Sequence, residues 1–478
     1  MSGEPIAAIG EARSVSIRAI AMTRPGAVRK ALSNSKFTTV LFGLTLLLSV
    51  VVLYLIDPLV YLRVMRIWVP ESLPRPFADT GYIMGQLDCW RKGVDVYVSS
   101  PCDIYGQAFA YPPLWLRLWF LPSSQLATVP FGLCLGVGFI CSLAVLPPIR
   151  QTRDLLLLWV CVASSATAYG VERGNVDLLI FVLAACVVVS AGKSLPVRIA
   201  GHGAIVLAAL LKLYPVFLLV FIGRERRRVA IALGLTALTI GLATAWLWHS
   251  QWAAMLPNIP GPMYYSEGPG GRKLPEGLVA FADRWWHVTE VIPERAASAG
   301  LYSVCLLGGV FAALRIARDT KFNEVIGEFR SRERMCLIAG AVLFCGCFVA
   351  GTSIAYREIL LLFAIPGLQS FRYELRLRPA VRWTVWIAIT LMWSSFPSLI
   401  AEETFGRLGE HGGPVPTFAF WLLREIGWWW VFIVLAAVVF RVAGQSGLVR
   451  IDRTPSKHAT TARQLGGGGE GRGEDRGQ

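Results

Sequence analysis

Three charged constellations stand among long apolar stretches of this chain, and each holds side chains that could move a proton or hold an anion. The first is Asp79, in Phe77-Ala78-Asp79-Thr80-Gly81-Tyr82. A carboxylate among aromatic rings near a membrane surface is a competent general base toward a hydroxyl. The plainer reading of the same Asp is a solvated or helix-capping side chain. Gly93-Val94-Asp95-Val96-Tyr97 and Tyr111-Pro112-Pro113-Leu114 follow it. The second is Tyr169-Gly170-Val171-Glu172-Arg173-Gly174-Asn175-Val176-Asp177. Three charges at membrane depth are costly unless they pair or face a water-filled cavity. A structural role accounts for part of it: Gly174 turns the chain, Asn175 caps the next helix, and Asp177 complements that helix's dipole. For Asn175 the cap is the favoured role, whereas Arg173 and Asp177 fit either.

The third constellation is Lys212-Leu213-Tyr214-Pro215, a lone cation between apolar runs. Such a Lys can snorkel to an interface, or it can meet an anionic ligand such as a phosphate. The same holds for Arg357 in Ser353-Ile354-Ala355-Tyr356-Arg357-Glu358, where Glu358 is a ready salt-bridge partner. No Walker loop, helix-opening Gly-x-Gly-x-x-Gly, His-Glu-x-x-His or Cys-x-x-Cys spacing occurs, so no motif points to a nucleotide or a metal.

The elements that must position these groups are apolar helices. The 478 residues are 55% hydrophobic and only 16% charged, outside the range of soluble domains. Runs such as Val40–Ile56, Phe131–Leu146, Leu155–Tyr169, Val229–Trp248, Met335–Ala350 and Phe418–Phe440 approach the ~20 residues that cross a bilayer. Counted along the chain, they predict an all-α polytopic bundle of about eleven or twelve spans. The net charge of +15 does not mark a nucleic-acid binder, because the basic residues lie in short breaks and tails, as the positive-inside bias requires.

Residues 1–36 read as a basic cytoplasmic tail that precedes a retained anchor, residues 37–443 as the membrane domain, and residues 444–478 as a Gly-rich disordered tail, also cytoplasmic. Cytoplasmic breaks then fall at Arg150–Arg153, Lys193–Arg198, Arg224–Arg228, Arg315–Arg334 and Arg372–Arg382. Two longer outer loops fall at 57–110 and 250–296, both rich in Trp and Tyr, and Tyr111–Leu121 reads as a short interfacial segment. All three constellations land on the outer face. Cys89 and Cys102 share the first outer loop, where a disulfide is permitted; the other cysteines sit in or beside apolar runs as small hydrophobes.

At these residues the chain resembles the polyprenyl-phosphate-sugar-dependent glycosyltransferases of the GT-C superfamily. It most resembles glycosyltransferase family 87, which includes mycobacterial phosphatidylinositol-mannoside mannosyltransferases. Asp79, Gly93–Tyr97, Tyr111–Leu114, Arg173–Asp177 and Lys212–Pro215 carry the resemblance in order, most clearly between Phe77 and Phe221. The family's aromatic four residues after the Asp is Ile83 here, with Tyr82 one place earlier.

The resemblance implies inverting transfer of a mannose- or arabinose-like sugar from a polyprenyl-phosphate donor to a lipid or glycan hydroxyl, at the outer face of a bacterial cytoplasmic membrane. Asp79 would be the base, with Asp283 as backup. Lys212, Arg357 and Arg173 would hold the phosphate, with Asp177, Asn175, Tyr214 and Tyr111 lining the site. No cofactor or metal is implied beyond the lipid-linked donor. A lipid-linked oligosaccharide ligase or polymerase is the alternative within enzymes. A transporter or flippase is the alternative outside them, and it predicts ionisable groups at mid-span and inverted repeats.

Overall fold

A computed structural model describes residues 35–69, 72–104, 106–149, 151–259, 265–350, 354–409 and 413–445. The basic and Gly-rich tails lie outside the described residues, apart from a few positions at their inner ends. Helices dominate. They are α1 (Ser35–Ile56), α2 (Pro58–Trp68), α3 (Ala78–Arg91), α4 (Thr128–Ser142), α5 (Thr152–Val162), α6 (Ser165–Arg173), α7 (Val176–Ser190) and α8 (Leu195–Leu211) in the first half. The second half holds α9 (Arg227–Leu247), α10 (His249–Met255), α11 (Lys273–Trp286), α12 (Val288–Val291), α13 (Glu294–Ala317), α14 (Thr320–Glu328), α15 (Ser331–Ala350), α16 (Leu361–Tyr373), α17 (Pro379–Met392), α18 (Ser395–Phe405) and α19 (Val415–Gln445). Tighter 3-10 segments at Pro113–Arg117, Tyr214–Arg224 and Ala355–Leu360 join them.

The all-α membrane fold is as expected, but the apolar runs divide more finely than their lengths suggest. Among the described residues, six helices are long and apolar enough to cross a membrane, or eight if the bent pairs α5–α6 and α17–α18 each count once. Shorter apolar elements α7, α8 and Tyr214–Arg224 lie among them. The run Leu155–Tyr169 breaks because Ser164 caps α6, its hydroxyl accepting the Thr167 N–H, and the chain bends by 45° there. Pro215 at the start of Tyr214–Arg224 accompanies an unusually long 3-10 run. A 3-10 helix rises more per residue than an α-helix, so this run reaches farther than an α-helix of equal length.

Residues 57–110, expected as a loop, hold two helices. Asp57 caps α2, its carboxylate accepting the N–H groups of Leu59 and Val60. Pro58 occupies the first turn, where its missing donor costs nothing. α3 follows, and a disulfide joins its Cys89 to Cys102 across the return of the chain. In the Tyr111–Leu121 segment, Trp115 is buried and donates its indole N–H to the Leu211 carbonyl, while Trp119 and Phe120 are exposed.

The core forms around α15 and α16, which are buried along most of their length. Gly340 lets them approach, because a Cβ there would stand 2.7 Å from the Ala364 backbone nitrogen; small residues serve the same purpose between membrane helices generally. α7 packs on α8 and α4, and α19 packs on α13 and α15. By contrast α9 buries none of its residues, so its Leu and Trp side chains face outward, as lipid contact requires.

Candidate active site

The constellations meet where α3, α6, α7 and the segment Ala355–Leu360 come together. Asp79 lies in the first turn of α3, but it does not cap that helix. The cap position belongs to Phe77, in the left-handed region at φ 62° with no side-chain bond. Such a backbone costs a non-glycine residue about 1–3 kcal/mol and persists only where the surroundings enforce it. Here the Phe77 N–H donates to the Glu172 carbonyl at 2.6 Å, and the Thr80 hydroxyl donates to the Gly174 carbonyl at 2.7 Å. These bonds dock the start of α3 onto the turn between α6 and α7.

That turn aims three side chains. Gly174, at φ 57°, ends α6 in the left-handed conformation, and a Cβ there would fall 2.4 Å from the Thr80 hydroxyl oxygen. Asn175 caps α7, its Oδ1 accepting the Asp177 N–H at 2.9 Å, while its Nδ2 donates to Asp79 Oδ2. Arg173 Nε pairs with Asp79 Oδ1 at 3.0 Å. The Asp79 carboxylate is thus oriented by two donors, and its side chain keeps 15% exposure.

A second knot lies beside the first. Asp177 is fully buried and gathers three partners: Lys212 Nζ at 2.7 Å, the Tyr214 hydroxyl at 2.8 Å and Arg357 Nε at 3.7 Å. Lys212 also reaches Asn175 Oδ1 at 3.4 Å, which links the two knots. Its ammonium lies 5.7, 5.9 and 5.4 Å from the ring centroids of Tyr111, Tyr214 and Tyr356, a cage that favours a cation. Burial pushes the Tyr111 and Tyr82 hydroxyls up from their ordinary values, so both stay protonated.

The charge balance is three cations, Arg173, Lys212 and Arg357, against the carboxylates of Asp79 and Asp177. Glu172 turns away toward α2, where it accepts from the Tyr61 hydroxyl at 3.3 Å. The knot therefore carries a positive excess, suited to a phosphate.

One pairing differs from expectation. Glu358 does not neutralise Arg357. Adjacent residues of the 3-10 turn point apart, and Glu358 is buried in a separate polar cluster with Lys273, Arg424, Glu267 and Glu425. Lys273 there donates to the carbonyls of Ser266 and Glu267, and burial lowers its pKa to about 7.

Tyr82 crosses to the Ala108 and Ala110 backbone and its ring lies 6.0 Å from that of Tyr111, while Ile83 is buried in the core; α3 thus turns Tyr82, not Ile83, toward the site. Asp283 has one oxygen on the Thr289 N–H at 2.7 Å, at the turn between α11 and α12. The roles of Phe77, Thr80 and Glu172 were not legible in the sequence. They act through docking bonds to main-chain carbonyls, Phe77 N–H to Glu172 and the Thr80 hydroxyl to Gly174.

Residues 109–330, a little under half of the chain, match the model of glycosyltransferase family 87. The match supports a glycosyltransferase and agrees with the family that the motifs resemble; the apolar helices make it a membrane protein. No curated protein and no solved structure matches the chain.

Proposed function

We propose, with a membrane glycosyltransferase of the family-87 kind as the premise, that this protein moves a single mannose- or arabinose-like sugar from a polyprenyl-phosphate donor to a lipid or glycan hydroxyl. The observation that carries this reading is the meeting of one oriented, partly exposed carboxylate with three cations drawn from separate regions of the chain.

In the reaction, the acceptor oxygen attacks the anomeric carbon and its proton passes to Asp79. The bond from that carbon to the phosphate oxygen breaks, and polyprenyl phosphate departs with the electron pair. Attack opposite the leaving group inverts the anomeric centre, as in inverting glycosidases. Charge gathers on the departing phosphate, and Lys212 and Arg357 stand ready to meet it without reorganising. Arg173 has two tasks, orienting Asp79 and adding positive potential.

A half-open groove supports a lipid substrate. It holds about 220 Å³, is lined almost wholly by apolar side chains of α1, α2, α4 and α6, and includes Phe77 and Glu172 in its lining. A lipid tail lying there would pass Phe77, two positions before Asp79 in the chain. The reading places the site on the extracytoplasmic face of a bacterial cytoplasmic membrane, with both chain termini in the cytoplasm.

The test is transfer by purified protein in nanodiscs, from radiolabelled polyprenyl-phosphate mannose or arabinose to a lipid-acceptor extract. Asp79→Asn, folded and inserted, is expected to lose about 10²–10⁴-fold in rate. Full activity in that variant would move the base elsewhere. Failure of the wild type with every monophosphate donor would reject the donor class.

A further inference from the structure

Far from the site, the same two helices end in a polar cavity. α7 and α8 run antiparallel; their near ends hold Asn175 and Lys212, and their far ends hold Ser190–Gly192 and Arg198–His202. The length of α7, four turns of helix, separates this end from Asn175. There a cavity of about 290 Å³ is lined by Ser190, Arg198, His202, Arg224, Glu225 and Arg226, among others. Three guanidinium groups face one carboxylate.

The carboxylate is already committed. Glu225 accepts from Arg198 Nε at 2.9 Å and lies 3.2 Å from His202 Nε2. Burial would raise its pKa, but these hydrogen bonds and charges hold it below the usual range, so it stays ionised. Arg224 and Arg226 stand exposed at the rim, with no carboxylate partner among the described residues. Arg334 adds like charge toward Arg224, partly offset by the charge of Glu225. The deeper wall points the same way: His202 is only 7% exposed, and its Nδ1 is buried without a hydrogen-bond partner. An unpaired polar atom in such a place costs about 1–3 kcal/mol. A cavity with surplus guanidinium groups lacks an anion with several acceptor oxygens, and the imidazolium form of His202, with Nε2–H on Glu225, has a buried Nδ1–H left to offer one.

We propose that this cavity is a second binding site, distinct from the reaction centre, that takes a phosphate group. Arg224 and Arg226 grip it from the rim, and His202 as an imidazolium donates its Nδ1–H from the wall. The phosphate is that of an anionic lipid headgroup, because the cavity opens between apolar elements at one end of the bundle, where basic pockets attract such lipids. The site does not depend on the proposed sugar transfer.

The test uses full-length protein in detergent, read by native mass spectrometry as it is titrated with phosphatidylglycerol, with phosphatidylcholine, and with inorganic phosphate. Phosphatidylglycerol should bind and phosphatidylcholine should not, and inorganic phosphate should displace the lipid only weakly. The double variant Arg224→Gln/Arg226→Gln changes exposed side chains and keeps the fold, which a melting curve checks. At about 1 kcal/mol per basic residue near anionic lipid, it should bind phosphatidylglycerol about 30-fold more weakly. Arg378→Gln, at an exposed arginine elsewhere on the bundle, should leave binding unchanged. Saturable phosphate binding with no lipid preference, lost in the double variant, would keep the anion site and reject the lipid as its source. Equal binding by the double variant, or equal weakening by Arg378→Gln, would overturn the site.

Discussion

Asp177 shows why burial and charge must be read together at the scale of the residue. It is fully buried, yet it touches three groups that could serve a phosphate. Its task is to hold Lys212 and Arg357 close together in the absence of ligand, and a buried charge stripped of its partner costs about 3–5 kcal/mol. Asp177→Asn would leave two cations facing each other, whereas Lys212→Met would leave Asp177 with Arg357 and Tyr214. We therefore expect Asp177→Asn to lower the melting temperature in detergent more than Lys212→Met does. Lys212→Met should instead lose more of the turnover number, since in the proposed reaction it removes the cation that meets the leaving phosphate. The reverse ranking would mean that Asp177 works on the substrate directly. The sequence supplied these residues as candidates because charges interrupted apolar runs. It could not show who pairs with whom: Glu358 looked like the partner of Arg357, but a tight turn sends the two side chains to different clusters.

Among the elements, the turn from α6 to α7 does the positioning. Its sequence, Arg173-Gly174-Asn175, foretold a glycine turn followed by a helix cap, and the structure has both, with Gly174 in the left-handed conformation. The contact that makes this turn part of the site, with the start of α3, was hidden, because it runs through backbone carbonyls that every residue carries. Gly174→Ala tests that contact. It forces a side chain into a φ of +57° and sets a Cβ 2.4 Å from the Thr80 hydroxyl, so α3 must shift or the turn must open. The expected cost is about 1–3 kcal/mol in stability, seen as a lower melting temperature. Because the shift also moves Asp79 relative to Arg173, transfer should fall by more than stability alone explains, with Thr80→Ala partly restoring it. A variant that melts early but turns over normally would make the turn purely structural.

For the whole molecule, composition sufficed to give an all-α membrane bundle, since burying so many apolar side chains in water-soluble form would leave helices such as α9 with no face to hide. The division into elements did not follow from composition. Breaks at Ser164 and Pro215 depend on local caps and rings, and the helices of residues 57–110 were masked by their charges. The groove between α1, α2, α4 and α6 exists only because these elements splay around it, so it had no signature in any one segment. Its lining runs from Gly43 to Leu55 along α1, more than three turns of helix, and includes Phe77, two residues before Asp79 in the chain. A chain in that groove would contribute through contact area alone, so its effect should grow with tail length. Val50→Trp narrows the groove from a half-buried position on α1, a helix that carries none of the site's charged groups. Displacing about two methylene groups at ~0.8 kcal/mol each should raise KM for a long polyprenyl donor about tenfold. A donor analogue with a tail too short to reach Val50 should keep its KM, and kcat should hold for both. Equal losses with the two donors would mean that the tail lies elsewhere and that the substitution disturbs the bundle itself.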